Sequence, residues 1–206
     1  MNAPASQSSA DPTDLFAGFD PATRPPTFEP SDVSYVVEDT PIGRMLLARN
    51  ASGAMVASSF TPDTAAEDAV LERLSRAVSP RVLRMPSALD DVRHQLDDYL
   101  HGRLREFSVR TDLVLATDFQ RVVLPRLAQS VHYGERSTYG QLATRIERPS
   151  AARAVGAALG ANPLCVLLPC HRVVASSGAL TGYAGGLAAK EYLLDLESGA
   201  TPPGVG

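Results

Sequence analysis

The chain has 206 residues, 44% of them hydrophobic and 20% charged, a balance that suits one or two small soluble domains with a buried core. No apolar run approaches a membrane span, and the N-terminus lacks a basic segment followed by an apolar one, so the expectation is a cytoplasmic protein with no membrane partner. The net charge of -4 argues against a general nucleic-acid binder until it is divided: residues 119–190 carry +6, residues 1–118 carry -7 and residues 191–206 carry -3.

In chain order, residues 1–30 are rich in Ser, Ala, Pro and Asp with little periodic apolar content, and read as a disordered tail. Val33 to Val37, Arg44 to Ala48 and Met55 to Ser59 are β-prone runs separated by Pro41-Ile42-Gly43 and Asn50-Ala51-Ser52-Gly53, which predicts an antiparallel meander. Helices are predicted over Ala65 to Val78 and Ala88 to Leu100, where Leu71, Leu74 and Val78, then Leu89, Val92, Leu96 and Leu100, form apolar stripes. Together, 31–112 form a small α+β scaffold to which no chemistry is assigned. After a connector over Thr111 to Thr117, Asp118 is the expected N-cap of a helix, although Leu124-Pro125 predicts that this helix kinks or starts late. Helices over Thr138 to Ile146 and over Ser150 to Gly160, the latter capped by Ser150, flank a turn at Glu147-Arg148-Pro149 and form a helix-turn-helix candidate. Residues 199–206 read as a C-terminal tail.

The chemistry concentrates at Leu167-Leu168-Pro169-Cys170-His171-Arg172-Val173-Val174. A thiolate is a strong nucleophile and a thiol a weak one, so a working Cys170 needs a base or a positive field, and His171 is adjacent. Side chains one apart in an extended segment point to opposite faces, which favours a water-bridged contact between them. Taken alone, the string fits a buried cysteine beside a surface histidine equally well. Two cysteines do not make a disulfide scaffold, and the cysteines and histidines show no paired zinc-site spacing, so no metal is expected.

Three blocks accompany this string: Arg153-Ala154-Val155-Gly156, Asn162-Pro163 and Gly182-Tyr183-Ala184-Gly185-Gly186. With them, the chain resembles the O6-alkylguanine-DNA alkyltransferases, closely from about Phe119 to Glu197 and more loosely from Thr40 to Arg110. The resemblance implies a ribonuclease-H-like α+β scaffold with an antiparallel sheet, followed over 113–198 by a winged helix-turn-helix-like alkyltransferase domain. It implies irreversible transfer of an alkyl group from O6-alkylguanine, and from O4-alkylthymine, in double-stranded DNA to Cys170, by a monomer without metal or nucleotide cofactor.

In this resemblance His171 takes the thiol proton through water and Glu197 orients and charges the imidazole. Tyr139 donates to the purine as guanine leaves. Val173, Tyr183, Ala184, Gly185 and Cys165 line the pocket, with the Ala184 amide aimed at the guanine oxygen and the Cys170 and Val173 carbonyls at its amine. Arg153 fills the space left by the flipped nucleotide, while Ala151, Ala152 and Gly156 allow close approach to the minor groove. Asn162 ties the turns beneath the nucleophile. Three positions depart from the family pattern: Leu124-Pro125 stands where a tryptophan is usual, Cys165 where proline or a small residue is usual, and Ser130-Val131-His132 in a turn that commonly contains proline. Cys165 reads either as a small buried hydrophobe or as a second thiol able to trap Cys170 on oxidation. The competing readings are a recognition protein that holds alkylguanine without reacting, an alkylation-responsive transcriptional regulator and a cysteine hydrolase.

Overall fold

A computed structural model describes residues 32–200 of the chain. The tail expected over 1–30 and most of that expected over 199–206 lie outside these residues.

The fold is α+β. Strands β1 (Val33–Thr40) and β2 (Gly43–Asn50) form a hairpin around Pro41-Ile42, with Gly43 at φ +118, a conformation that favours glycine. The Asn50 Oδ1 accepts from the Ser52 and Ala54 amides and shapes the turn into β3 (Met55–Phe60). Side chains alternate across the sheet: Leu46, Ala48 and Val56 face helix α1 (Thr64–Ala77), whereas Met45, Leu47 and Met55 face the rest of the molecule. Asp63 caps α1 by accepting from the Ala66 amide at 2.8 Å. Helix α2 (Asp90–Leu100) follows a 3₁₀ turn over Pro86–Leu89 and buries Val92, Leu96, Tyr99 and Leu100 on one stripe.

The predicted strands and both helices are present, but the sheet is not a pure meander. A short β4 (Val82–Arg84) pairs in parallel with β1, giving the order β3-β2-β1-β4. Three half-buried or exposed residues after a proline carry too little alternation to announce a strand; the neighbouring β1 supplies the hydrogen bonds that make one.

Helix α3 (Asp118–Ser130) corrects two expectations. Its N-cap is Thr117, in a reciprocal capping box with Gln120, so Asp118 is the first helical residue instead of the cap. The expected late start is also overturned: the helix begins at Asp118 and includes Pro125, with Val123, Leu124 and Leu127 in the core against the roughly 3 kcal/mol that an interior proline costs. Helix α4 (Tyr139–Arg145) is capped by Thr138 in a second capping box with Gln141. Glu147 at φ +60 turns the chain, and a 3₁₀ turn over Pro149–Ala151 enters α5 (Ala152–Gly160). Ser150 therefore lies inside that turn and does not cap α5, whose N-cap Ala151 offers no side-chain bond. The two-residue strands β5 (Ser137–Thr138) and β6 (Val173–Val174) pair in parallel, and α6 (Gly186–Ser198) ends at Gly199 in the left-handed conformation, φ 78.

One apolar cluster joins Val36, Met45, Leu47 and Tyr99 to Leu124, Leu142, Val155, Leu164, Val173 and Leu193, so the sheet and the C-terminal helices share a core. The free side of β3 is also joined to the C-terminal half. Ser58 accepts the Cys165 amide and donates its own amide to the Pro163 carbonyl, both at 2.8 Å, and its hydroxyl donates to the Cys165 carbonyl. The scaffold thereby grips the segment that leads to Cys170. No described helix is long and apolar enough to cross a membrane.

Candidate active site

The segment Asn162 to Arg172 is a chain of tight turns. Val166 adopts φ +70, rare for a β-branched residue, and is held there by bonds on either side: Leu168 N to Leu164 O, Leu167 N to Cys165 O and Cys170 N to Leu168 O, 2.8–2.9 Å. Asn162 spans these turns. Its Oδ1 accepts the Leu164 amide, and its Nδ2 donates to the Leu168 carbonyl and, at 3.1 Å, to Cys170 Sγ. Cys170 and Cys165 are both buried and free. The neighbouring Cys165 thiol, the hydrogen bond from the Asn162 amide and the positive charge of Lys190 together hold the Cys170 thiol below its ordinary range, against the opposing effect of burial.

His171 is fully buried, and its Nε2 lies 2.7 Å from Glu197 Oε1. Glu197 also accepts from Arg172 Nε at 2.9 and 3.1 Å, from the Gly134 amide at 3.1 Å and from the Tyr99 hydroxyl. Arg172 is anchored in turn by the Val131 carbonyl. Burial alone would raise the Glu197 carboxyl, but His171 and Arg172 outweigh it and hold it at about 2. Burial lowers His171 despite the adjacent carboxylate, so the resting imidazole is neutral at physiological pH. With Nε2–H donating to Glu197, Nδ1 carries the lone pair, and this buried nitrogen has no hydrogen-bond partner among the described residues. The site thus holds a sulfur with a depressed pKa and a neutral imidazole whose free nitrogen can take a proton.

Lys190 is buried and donates to the Val173 carbonyl at 2.6 Å and the Thr181 carbonyl at 2.9 Å, tying β6 to the loop before α6. The Val173 carbonyl is therefore engaged on one lone pair. In that loop, the Tyr183 ring meets Phe60 edge-on at 5.5 Å and His171 at 6.3 Å, and its buried hydroxyl has no hydrogen-bond partner among the described residues. Ala184 is exposed, and Gly185 presses on the Phe60 ring so closely that a Cβ there would overlap it. Tyr139 stands apart from the relay. It hydrogen-bonds Thr181 at 3.2 Å across an open apolar cleft of about 410 Å³ lined by Ala152, Arg153, Gly156, Gly160 and Gly182. Arg153 is exposed on α5, and Ala151 and Ala152 sit half-buried at its start.

The description "6-O-methylguanine DNA methyltransferase, ribonuclease-like domain" matches residues 33–113, and "6-O-methylguanine DNA methyltransferase, DNA binding domain" matches residues 118–199. A methylated-DNA--protein-cysteine methyltransferase of Mycobacterium bovis is 47% identical over 117 residues, covering 57% of this chain and 70% of the relative. Its counterpart in Mycobacterium leprae is 38% identical over 162 residues, covering 77% and 88%. The chain belongs to the 6-O-methylguanine DNA methyltransferase family. Its fold is shared with the crystal structure of Mycobacterium tuberculosis OGT in complex with DNA, at TM-score 0.69 and 38% identity over 82% of this chain and 96% of that one.

In this methyltransferase, four side chains outside the sequence-derived site belong to its geometry: Tyr99 and Arg172 on Glu197, Lys190 on Val173 and Thr181, and Ser58 on Cys165. Arg172 and Lys190 enter the basic surplus of 119–190, yet both are buried and turned inward. The charge available to an external anion is correspondingly smaller than the sequence count. Arg172 lies in the quoted motif, and only its ion pair with a residue 25 positions away identifies its role.

Proposed function

We propose that this protein repairs DNA by direct reversal, moving an alkyl group from O6-alkylguanine, and from O4-alkylthymine, in double-stranded DNA onto Cys170. Residues 31–112 act as scaffold, and 113–198 bind DNA and accept the alkyl group. The observation that carries the reading is the hydrogen-bonded Cys170 sulfur on the same turn as a neutral His171 whose Nε2 is committed to Glu197.

His171 Nδ1 takes the Cys170 proton through a bridging water. The thiolate then attacks the alkyl carbon in line, forming the S–C bond as the O6–C bond breaks. The electron pair leaves on guanine, and Tyr139 donates to the purine to spread that charge. The base must first rotate out of the duplex at a cost of a few kcal/mol. Arg153 occupies the space it leaves, and α5 approaches the minor groove with Ala151, Ala152 and Gly156. Tyr183, Ala184, Gly185, Val173 and Cys165 enclose the base and alkyl group, and Asn162 supports the turn beneath. A thioether is a poor leaving group, so each molecule acts once as a cytoplasmic monomer without cofactor.

Incubation with a duplex oligonucleotide containing O6-methylguanine, followed by peptide mass analysis, tests this. One methyl group on the Cys170 peptide, absent in Cys170→Ser, is the expected result. Tight binding without a mass change would instead support a protein that only recognises the lesion.

A further inference from the structure

Tyr99 brings a hydroxyl from the scaffold into the buried relay. Its ring is packed against Phe107, with centroids 4.9 Å apart, and edge-on against Tyr133 at 6.0 Å, and it is 1% exposed. The hydroxyl bonds Glu197 Oε1 and lies 3.4 Å from His171 Nε2.

A phenol has one proton, and an ionised carboxylate offers only lone pairs. The Tyr99 proton therefore goes to Glu197, and the imidazole meets a Tyr99 oxygen lone pair. His171 Nε2 faces two acceptors, Glu197 Oε1 at 2.7 Å and Tyr99 Oη at 3.4 Å. A bare Nε2 would set its own lone pair against both in a site of low dielectric, whereas a proton there satisfies the arrangement. Burial and the Glu197 charge push the Tyr99 phenol well above its ordinary range, so it stays a donor wherever the fold is intact.

We propose that Tyr99 is a positioning residue for alkyl transfer, whose hydroxyl donates to Glu197 and so limits the negative charge that faces His171, keeping the imidazole neutral with Nδ1 free to take the Cys170 proton. This rests on the alkyl-transfer reading. Around the imidazole stand Glu197 and Lys190 from α6, Arg172 and Cys170 on its own turn, Tyr183 from the pocket loop and Tyr99 from α2. Removing the Tyr99 hydroxyl takes one donor from Glu197 and returns that share of carboxylate charge to His171, which then protonates at higher pH. A protonated His171 cannot act as base.

The test combines ¹⁵N NMR of His171 with single-turnover transfer from an O6-methylguanine duplex across the neutral and mildly alkaline range, in the full chain and in Tyr99→Phe. Wild-type protein should show a neutral Nε2–H imidazole. Tyr99→Phe should keep the Nε2–H tautomer when neutral but show an upward-shifted titration, with transfer slowed about tenfold near neutrality and recovering as pH rises. An Nδ1–H imidazole in the wild type overturns the proposal without any variant. So does a Tyr99→Phe protein with unchanged His171 signals, including one slowed by the same factor at every pH, since that marks a purely structural part. Failure of wild-type Cys170 to gain an alkyl group would overturn the alkyl-transfer reading itself, a separate result visible by mass.

Discussion

The relay around Glu197 and the cleft around Tyr139 and Arg153 are built on opposite principles. Glu197 is buried and holds hydrogen bonds from Tyr99, Gly134, His171 and Arg172, contributed by three separate parts of the sequence. Tyr139 has a hydroxyl contact only to Thr181 among the described residues, and Arg153 is exposed. The difference separates two tasks. Proton movement needs dipoles fixed before the reaction, because reorienting them during it would raise the barrier. A surface that meets a bulky, charged partner needs room and side chains free to move.

This contrast predicts opposite outcomes for substitutions in the two regions. The largest effect should come from His171→Asn, which removes the base and should slow alkyl transfer by about 10²–10⁴-fold in a single-turnover assay while DNA affinity stays unchanged. Next, Glu197→Gln leaves Arg172 without its buried counter-charge and should destabilise the protein by about 3–5 kcal/mol in denaturant unfolding. Its pH signature is separable. A carboxyl held at about 2 in the folded state and near 4.5 when unfolded stabilises the fold above pH 4.5, and that contribution is lost as pH falls toward 2. His171, lowered from 6.5, adds an earlier loss of stability as pH falls below that value. Melting temperature against pH should therefore fall in two stages, and the lower stage should vanish in Glu197→Gln.

On the exposed side, Arg153→Ala should weaken duplex binding about tenfold and reduce its salt slope with no change in melting temperature. A matching loss of stability would show that the cleft is as rigidly built as the relay. The smallest effect is expected from Ser58→Ala, which deletes the hydroxyl bond to the Cys165 carbonyl. It should lower stability by about 1 kcal/mol, and the transfer rate only slightly, because the two backbone bonds at Ser58 persist.

Much of this could be read from the sequence, for reasons tied to range. Strands β1 to β3 and helices α1 and α2 announce themselves through alternation and apolar stripes, which are local. The nucleophile is visible because Pro169-Cys170-His171-Arg172 is contiguous. Glu197 lies 26 residues from His171, and only the family resemblance singled it out. Tyr99 sits 98 residues from Glu197, on the buried stripe of a helix read as scaffold, and a tyrosine there looks like packing until its hydroxyl is placed. Lys190 and Arg172 look like surface charge for the same reason. The cap of α3 was readable, since Thr117 precedes Gln120 by the three residues a capping box requires, but Asp118 competes as another capping type one position later.

Strand β3 carries one more consequence. A border strand with unpaired amides and carbonyls is a template for another chain, and this one is occupied by its own protein: Thr111 pairs beside Met55, and Leu164 beside Ser58. The opposite border, β4, is only three residues long. The turn that presents the nucleophile thus also serves as a guard rail against intermolecular strand addition. Any event that loosens Pro163 to Cys165, whether a mutation there or a bulky group forced onto the buried sulfur beneath it, uncovers that border and turns a local injury into a tendency to aggregate.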